Sequence, residues 1–223
     1  MPIFLRSKMR IISFLVILLI TTSASSNDVD QINGNQYKII QGNSWIRVLA
    51  YPDGPLKRFG HHHVISHNAI VGTASVNSNL IDSSFDLELN VSDFVVDDPS
   101  LRELEDENFQ KEVSEKDVNG TRKNMLGEKL LNVAKFPSIK ISSGKISGEL
   151  PNIEIEMVIT IKDATYRIMI PAKISISRNN LMANGQFELS QTEIGLVPFS
   201  AAGGALTVRD LLVFKYEIHG TQY

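Results

Sequence analysis

Residues 153 to 161 read IEIEMVITI, with apolar side chains at every second position: Ile153, Ile155, Met157, Ile159 and Ile161 against Glu154, Glu156 and Thr160. A helix repeats about every 3.6 residues and cannot sort that pattern, whereas a strand puts i, i+2 and i+4 on one face. The same alternation sets Phe85, Leu87, Leu89 and Val91 of FDLELNV against Asp86, Glu88 and Asn90. It also sets Tyr166, Ile168, Ile170, Ala172, Ile174 and Ile176 of YRIMIPAKISIS against Arg167, Lys173, Ser175 and Ser177. SWIRVLAY, IKISSGKI, ANGQFELS and LLVFKYEI are further strand candidates, although both faces of the last are partly apolar. Turn signals at Pro52-Asp53-Gly54, Gly148, Asn179-Asn180 and Gly203-Gly204 separate them. Roughly eight strands with short connections predict an all-β antiparallel sandwich or barrel.

One segment departs from this period. From Pro99 to Lys135 the chain is charged and helical in pattern. Ser114 and Asp117 have the spacing of a capping box, Met125, Leu126, Leu130 and Val133 share a stripe, and Pro137 ends the segment. The spacing predicts one helical insertion after the third strand, packed on or over one end of the sheet. The acidic residues Asp97, Asp98, Glu103, Glu105, Asp106 and Glu107 are expected on a solvated face. RKNMLGEK, Arg122 to Lys129, reads as an ordinary amphipathic helix, with transient contact to an acidic membrane surface as the alternative.

The start of the chain is of another kind. Arg6, Lys8 and Arg10 precede the apolar run Ile11 to Ile20, and small residues follow, Ser23 to Ser26. Those are the three parts of a secretory signal peptide, assigned to residues 1–26, and the run is shorter than the ~20 residues of a membrane span. Secretion, with the bacterial periplasm as destination, is expected. There are no cysteines, so an exported domain must rely on its packed core. Apolar residues make up 43% of the chain, enough to build one. A net charge of −3 with no basic tract points away from nucleic acid. Residues 35–223 show no linker and read as one domain. Mid-strand charges such as Glu88, Glu154, Arg167 and Lys173 argue against a lipid-facing exterior, because a cation at the bilayer midplane costs about 2–4 kcal/mol.

An eight-stranded barrel has room inside for packed side chains or for one ligand. The inward candidates are Phe85, Leu87, Ile155, Met157, Ile159, Ile168, Ile170, Phe187 and Phe214, either as core or as the lining of a pocket for a long apolar molecule. GHHHVISHN, residues 60 to 68, holds four of the five histidines. On a strand, His61, His63 and His67 share one face and His62 takes the other. His61 and His63 are candidates for the polar end of a bound molecule, a contact that histidine titration would make pH-dependent. The alternative is a metal site built from His61, His63, His67 and His219, although no acidic residue is adjacent in sequence and a catalytic zinc takes three ligands. No Gly-x-Ser-x-Gly elbow is present, and no catalytic residue is assigned.

Three stretches carry a family resemblance. GTRKNMLGEKLLNVAKFPSIKISSGKISG, residues 120 to 148, has a short helix, a Lys-Phe-Pro step and a strand directly after it. GQFELSQTEIGLVPFSAAGGALTVRDLLVFKYEIHG, residues 185 to 220, has a Thr-x-x-Gly step, Pro198 and a closing strand. With FDLELNVSDFVVDD, residues 85 to 98, they resemble the YceI-like family, from about Tyr37 onward. The resemblance implies a single eight-stranded, lipocalin-like antiparallel barrel in the periplasm. It implies a non-catalytic binding protein without a cofactor, its partner an isoprenoid or other long-chain lipid held by the inward aliphatic set. The N-terminal reading is checked by the intact mass of the exported protein, expected to correspond to cleavage after Ala24 or Ser26.

Overall fold

Every segment with the two-residue period is a strand in the computed structural model, which describes residues 34–223. The expected signal peptide lies outside these residues. The strands are β1 (Asn35–Ile39), β2 (Trp45–Ala50), β3 (Pro52–Asp53), β4 (His63–His67), β5 (Val71–Val76), β6 (Ser84–Asn90), β7 (Val95–Val96), β8 (Ser138–Glu149), β9 (Asn152–Ile161), β10 (Ala164–Ser177), β11 (Asn180–Ser190), β12 (Ser200–Ala201), β13 (Leu206–Val208) and β14 (Leu211–Gln222). Two α-helices, α1 (Pro99–Arg102) and α2 (Glu115–Leu126), lie between β7 and β8.

The pairings close a barrel. β5 pairs with β1 and β6, and β4 pairs with β2 and β7. Three interrupted staves result: β1/β2, β4/β5 and β6/β7. From β6 the ladder continues through β8, β9, β10, β11 and β14, each antiparallel to the last. β14 closes the circle. One edge runs along β11; the other pairs Val213 with Leu49 in β2 and Gln222 with Tyr37 in β1. This is an eight-stave antiparallel barrel with its helical insertion after the third stave. Ser44 bridges the break in the first stave, its hydroxyl accepting from the His219 N–H at 2.9 Å and donating to the His219 carbonyl at 3.2 Å.

The two ends differ. β9–β10 and β10–β11 turn through the two-residue loops Lys162–Asp163 and Arg178–Asn179, one at each end of the barrel, each with its first residue left-handed. That geometry follows the strand twist. The long connections 51–62, 97–137 and 191–210 all emerge at the end where β2, β7 and β11 finish. β3, β12 and β13 form a small sheet there, tying the first of these loops to the last.

The inward faces follow the expected parity. Ile153, Ile155, Met157, Ile159 and Ile161 are all buried, while Glu154, Arg167 and Lys173 are exposed on the outer wall. Glu156 and Arg167 form a 2.9 Å ion pair across that wall. In β8 the parity changes: Ile139 and Ile141 point in, and an irregularity between Ser143 and Ile146 passes the inward role to Ile146. Such a bulge shifts one strand by a residue and flips the faces beyond it. In the doubly apolar β14, Leu212 and Ile218 are buried and share the face of Phe214.

The insertion is less helical than its sequence pattern. Ser114 caps α2 as expected, accepting the Asp117 N–H at 3.2 Å. Leu130 and Val133 lie beyond the helix in turns, yet both pack on the core with Met125 and Leu126. The insertion also covers more than an end. Phe109, fully buried, packs with Leu49 and Val64 on the outer face of β2 and β4. Glu105 lies almost fully buried and accepts from Lys215 Nζ at 2.5 Å, so the acidic run is not uniformly solvated.

One glycine carries a local requirement. Gly195 ends the short turn Gln191–Ile194 in a left-handed conformation (φ 69°), and a β-carbon there would collide with the phenol of Tyr166. Both constraints oppose any side chain. Gly195→Ala is expected to lower stability by about 1–3 kcal/mol, read from the midpoint of chemical denaturation.

Candidate functional site

Closure of the barrel leaves space inside it. A cavity of about 670 Å³ runs between the inward faces, within the usual size of small-molecule sites. Of the residues singled out from the sequence, Phe85, Leu87, Ile155, Met157, Ile159, Ile170, Phe187 and Phe214 line it. Ile168 has inward parity and packs on the core, but does not reach the cavity. Phe187 and Phe214 stack face to face, 5.1 Å between centroids, from paired positions on β11 and β14. Beyond them Tyr216 donates to the Pro171 carbonyl at 2.7 Å, and burial pushes its phenol well above its ordinary pKa. Gly185 makes room for this bond: a β-carbon there would lie 2.7 Å from both oxygens.

Polar lining is concentrated at the end with the long connections. His61, His63, Lys116, Asp117, Thr121, Asn124, Gln191 and Thr207 are there, while the opposite end contributes Ser75, Ser83 and Ser84. Several residues at the first end are also exposed, among them Phe59, Lys116, Asp117 and Asn124, which places the mouth between loop 51–62, α2 and loop 191–210.

His63 is the best-held group at this mouth. Its Nδ1 lies 2.6 Å from Asp97 Oδ2, and its Nε2 faces Thr121 Oγ1 at 3.5 Å. Asp97 is buried and left-handed (φ 56°). Its other oxygen accepts from the Val64 N–H at 2.9 Å and from the Arg102 guanidinium. Arg102, also buried, donates to the carbonyls of His62 at 2.6 Å and Lys111 at 2.9 Å. Burial disfavours the Asp97 charge, but His63, the Val64 N–H and Arg102 outweigh it, so its pKa falls below the ordinary carboxylate value. The expectation of a solvated Asp97 is thereby corrected. Its neighbour Asp98 does face solvent, capping α1 through the Ser100 N–H and hydroxyl. The array Thr121–His63–Asp97 has the order of a nucleophilic relay; Thr121 lies inside α2, where the backbone N–H groups beside it are committed to the preceding turn. What the arrangement does is hold one imidazole with its Nε2 toward the mouth.

The other histidines go elsewhere. His61 lies 3.8 Å from Asp117 Oδ2, its ring 6.1 Å from that of His63. His62 points outward, edge-on to Tyr51 and Phe109, and burial lowers its pKa. His67 has inward parity but lies buried against Phe94, its Nε2 3.1 Å from the Asn90 carbonyl. Burial lowers its pKa as well. His219 faces outward and bonds Glu217 at 2.8 Å. The four-histidine metal set is therefore not assembled, and among the described residues no three His, Cys, Asp or Glu side chains converge on a common point. Asp97, Arg102 and Thr121 were missed as site residues, because their roles arise from contacts 34 to 58 positions apart in sequence.

A model of the YceI-like domain matches residues 58–218. Among solved structures, the Burkholderia cenocepacia protein BcnA superposes with a TM-score of 0.59 at 9% identity, covering 82% of this chain and 99% of that one. The Campylobacter jejuni YCEI protein superposes with a TM-score of 0.51 at 8% identity, covering 71% of this chain and 84% of that one. At these identities the likeness is one of fold. No curated protein matches in sequence.

The buried groups set the response to acid. His62 and His67, with lowered pKa values, stabilise the fold above the unfolded value of about 6.5, and this stability is lost as pH falls through their folded values. Asp97 contributes fully above about 3.9, and its share is lost as pH falls through its depressed folded value. Asp97→Asn leaves Arg102 without its counter-charge and is expected to cost about 3 kcal/mol at neutral pH. The deficit relative to the parent should shrink in strong acid, as measured by urea unfolding across pH.

Proposed function

Since the chain belongs to the YceI-like family, we propose that it is a non-catalytic periplasmic carrier that holds a long isoprenoid-like lipid inside its barrel. The observation that carries this reading is a cavity inside the barrel, apolar along its walls, with most of its polar side chains at the mouth. An apolar chain lies against Ile155, Met157, Ile159, Phe187 and Phe214, and its polar end meets His61, His63 and Thr121. Each five-carbon unit buried contributes about 4 kcal/mol, less the cost of ordering the chain. Affinity is therefore expected to rise with isoprenoid length and to level off once the cavity is full. Organic extraction of the purified protein, followed by mass spectrometry, should release a long-chain lipid in near-stoichiometric amount. Met157→Trp, which fills the cavity from its wall at a cost of about 1–3 kcal/mol, should remove that lipid while the protein stays folded. A full complement of lipid in the filled variant, or none in the parent, would sink the reading.

A further inference from the structure

The outer edge of the mouth is apolar where a soluble loop is ordinarily polar. Leu56, Phe59, Val197 and Phe199 are all exposed, Phe59 at 63% and Val197 at 73%. They come from two loops that the small sheet joins. β3 pairs with β13, the Leu56 N–H donates to the Ala205 carbonyl at 2.8 Å, and the Val208 N–H to the Phe199 carbonyl at 2.9 Å. Phe59 and Phe199 line the cavity as well, so the exposed edge and the interior wall form one apolar surface.

Charge accompanies it. Lys57 and Arg58 stand between Leu56 and Phe59, and among the described residues neither makes an ion pair. Arg58 lies over the Phe59 ring at 4.7 Å. Apolar side chains with cations at their bases match the boundary of an anionic bilayer, where acyl chains lie just below phosphate groups. We propose that this rim, Leu56 to Phe59 with Val197 and Phe199, docks the barrel mouth on an anionic phospholipid surface. A guest then passes between acyl chains and cavity without crossing water. Met125 and Leu126 are packed into the core, as the amphipathic-helix reading of Arg122 to Lys129 requires, so the alternative of membrane contact there gives way to this loop.

This purpose rests on the lipid-carrier reading, but docking and cargo are measured separately. The test is sedimentation of the purified protein with phosphatidylcholine vesicles, with or without phosphatidylglycerol. Binding is expected to the anionic vesicles and to weaken with salt. The pair Lys57→Gln and Arg58→Gln should lower that affinity about 30-fold. Leu56→Ser with Val197→Ser, neither of which lines the cavity, should abolish it while leaving thermal unfolding unchanged. Extracted lipid content of each variant reports on the cavity independently. Failure of the parent to bind either vesicle, or undiminished binding by the Leu56→Ser, Val197→Ser protein, overturns the proposal. The first outcome would turn the rim toward a protein partner.

Discussion

Closure of the hydrogen-bond ladder is the constraint on which the rest depends. β14 is paired along both edges, to β11 on one side and to β1 and β2 on the other. With no free edge among the eight staves, each strand must send one parity inward, and the alternation of apolar and polar residues becomes an inside and an outside. An open sheet of the same strands would bury its apolar face only by meeting a second layer. The ring instead provides its own second layer, across a space that the side chains leave partly unfilled.

The mouth is organised by a different interaction. Asp97 ties three things together: the imidazole of His63, the backbone of β4 at Val64 and the guanidinium of Arg102 from α1. Arg102 in turn holds the chain at His62 and Lys111. The insertion is thus fastened to the barrel through charge, where most of the barrel is held by apolar contact. Buried charge is costly unless every member has partners, and here each oxygen of Asp97 has them.

How much of this was legible in the sequence depended on the range of the interaction. Period two is local, so the inward rows of β6, β9 and β10 could be read directly, as could the Ser114 cap. The β8 irregularity was overlooked, because the phase slip in IKISSGKI, from Ile139 and Ile141 to Ile146, passes through the small residues Ser142, Ser143 and Gly144, which fit either face. The parity of β14 was hidden by apolar residues on both faces, one turned to the cavity and the other meeting the insertion. Ile168 had the right parity, yet parity does not fix depth along the barrel axis. Asp97 looked solvated because charged residues follow it; its burial is created by His63, 34 positions away, and by Arg102 at the end of α1. His61, His63 and His67 share a face by parity and His62 takes the other, as expected, but parity did not show that His67 is shut behind Phe94 or that His219 faces outward.

The packing of Phe109 on the outside of β2 and β4 has a mechanical consequence. There Val48 and Ile65 face inward while Leu49 and Val64 are covered from outside, so this part of the wall is clamped between two apolar layers. Opposite in character are β9 and β10, whose outer residues Glu154, Arg167 and Lys173 are exposed, with no layer of chain packed over them. A close-packed layer resists deformation, and a solvated one yields. The barrel therefore has a rigid spine and a compliant flank, and any widening of its bore is taken up asymmetrically, by the flank swelling away from a wall that stays still.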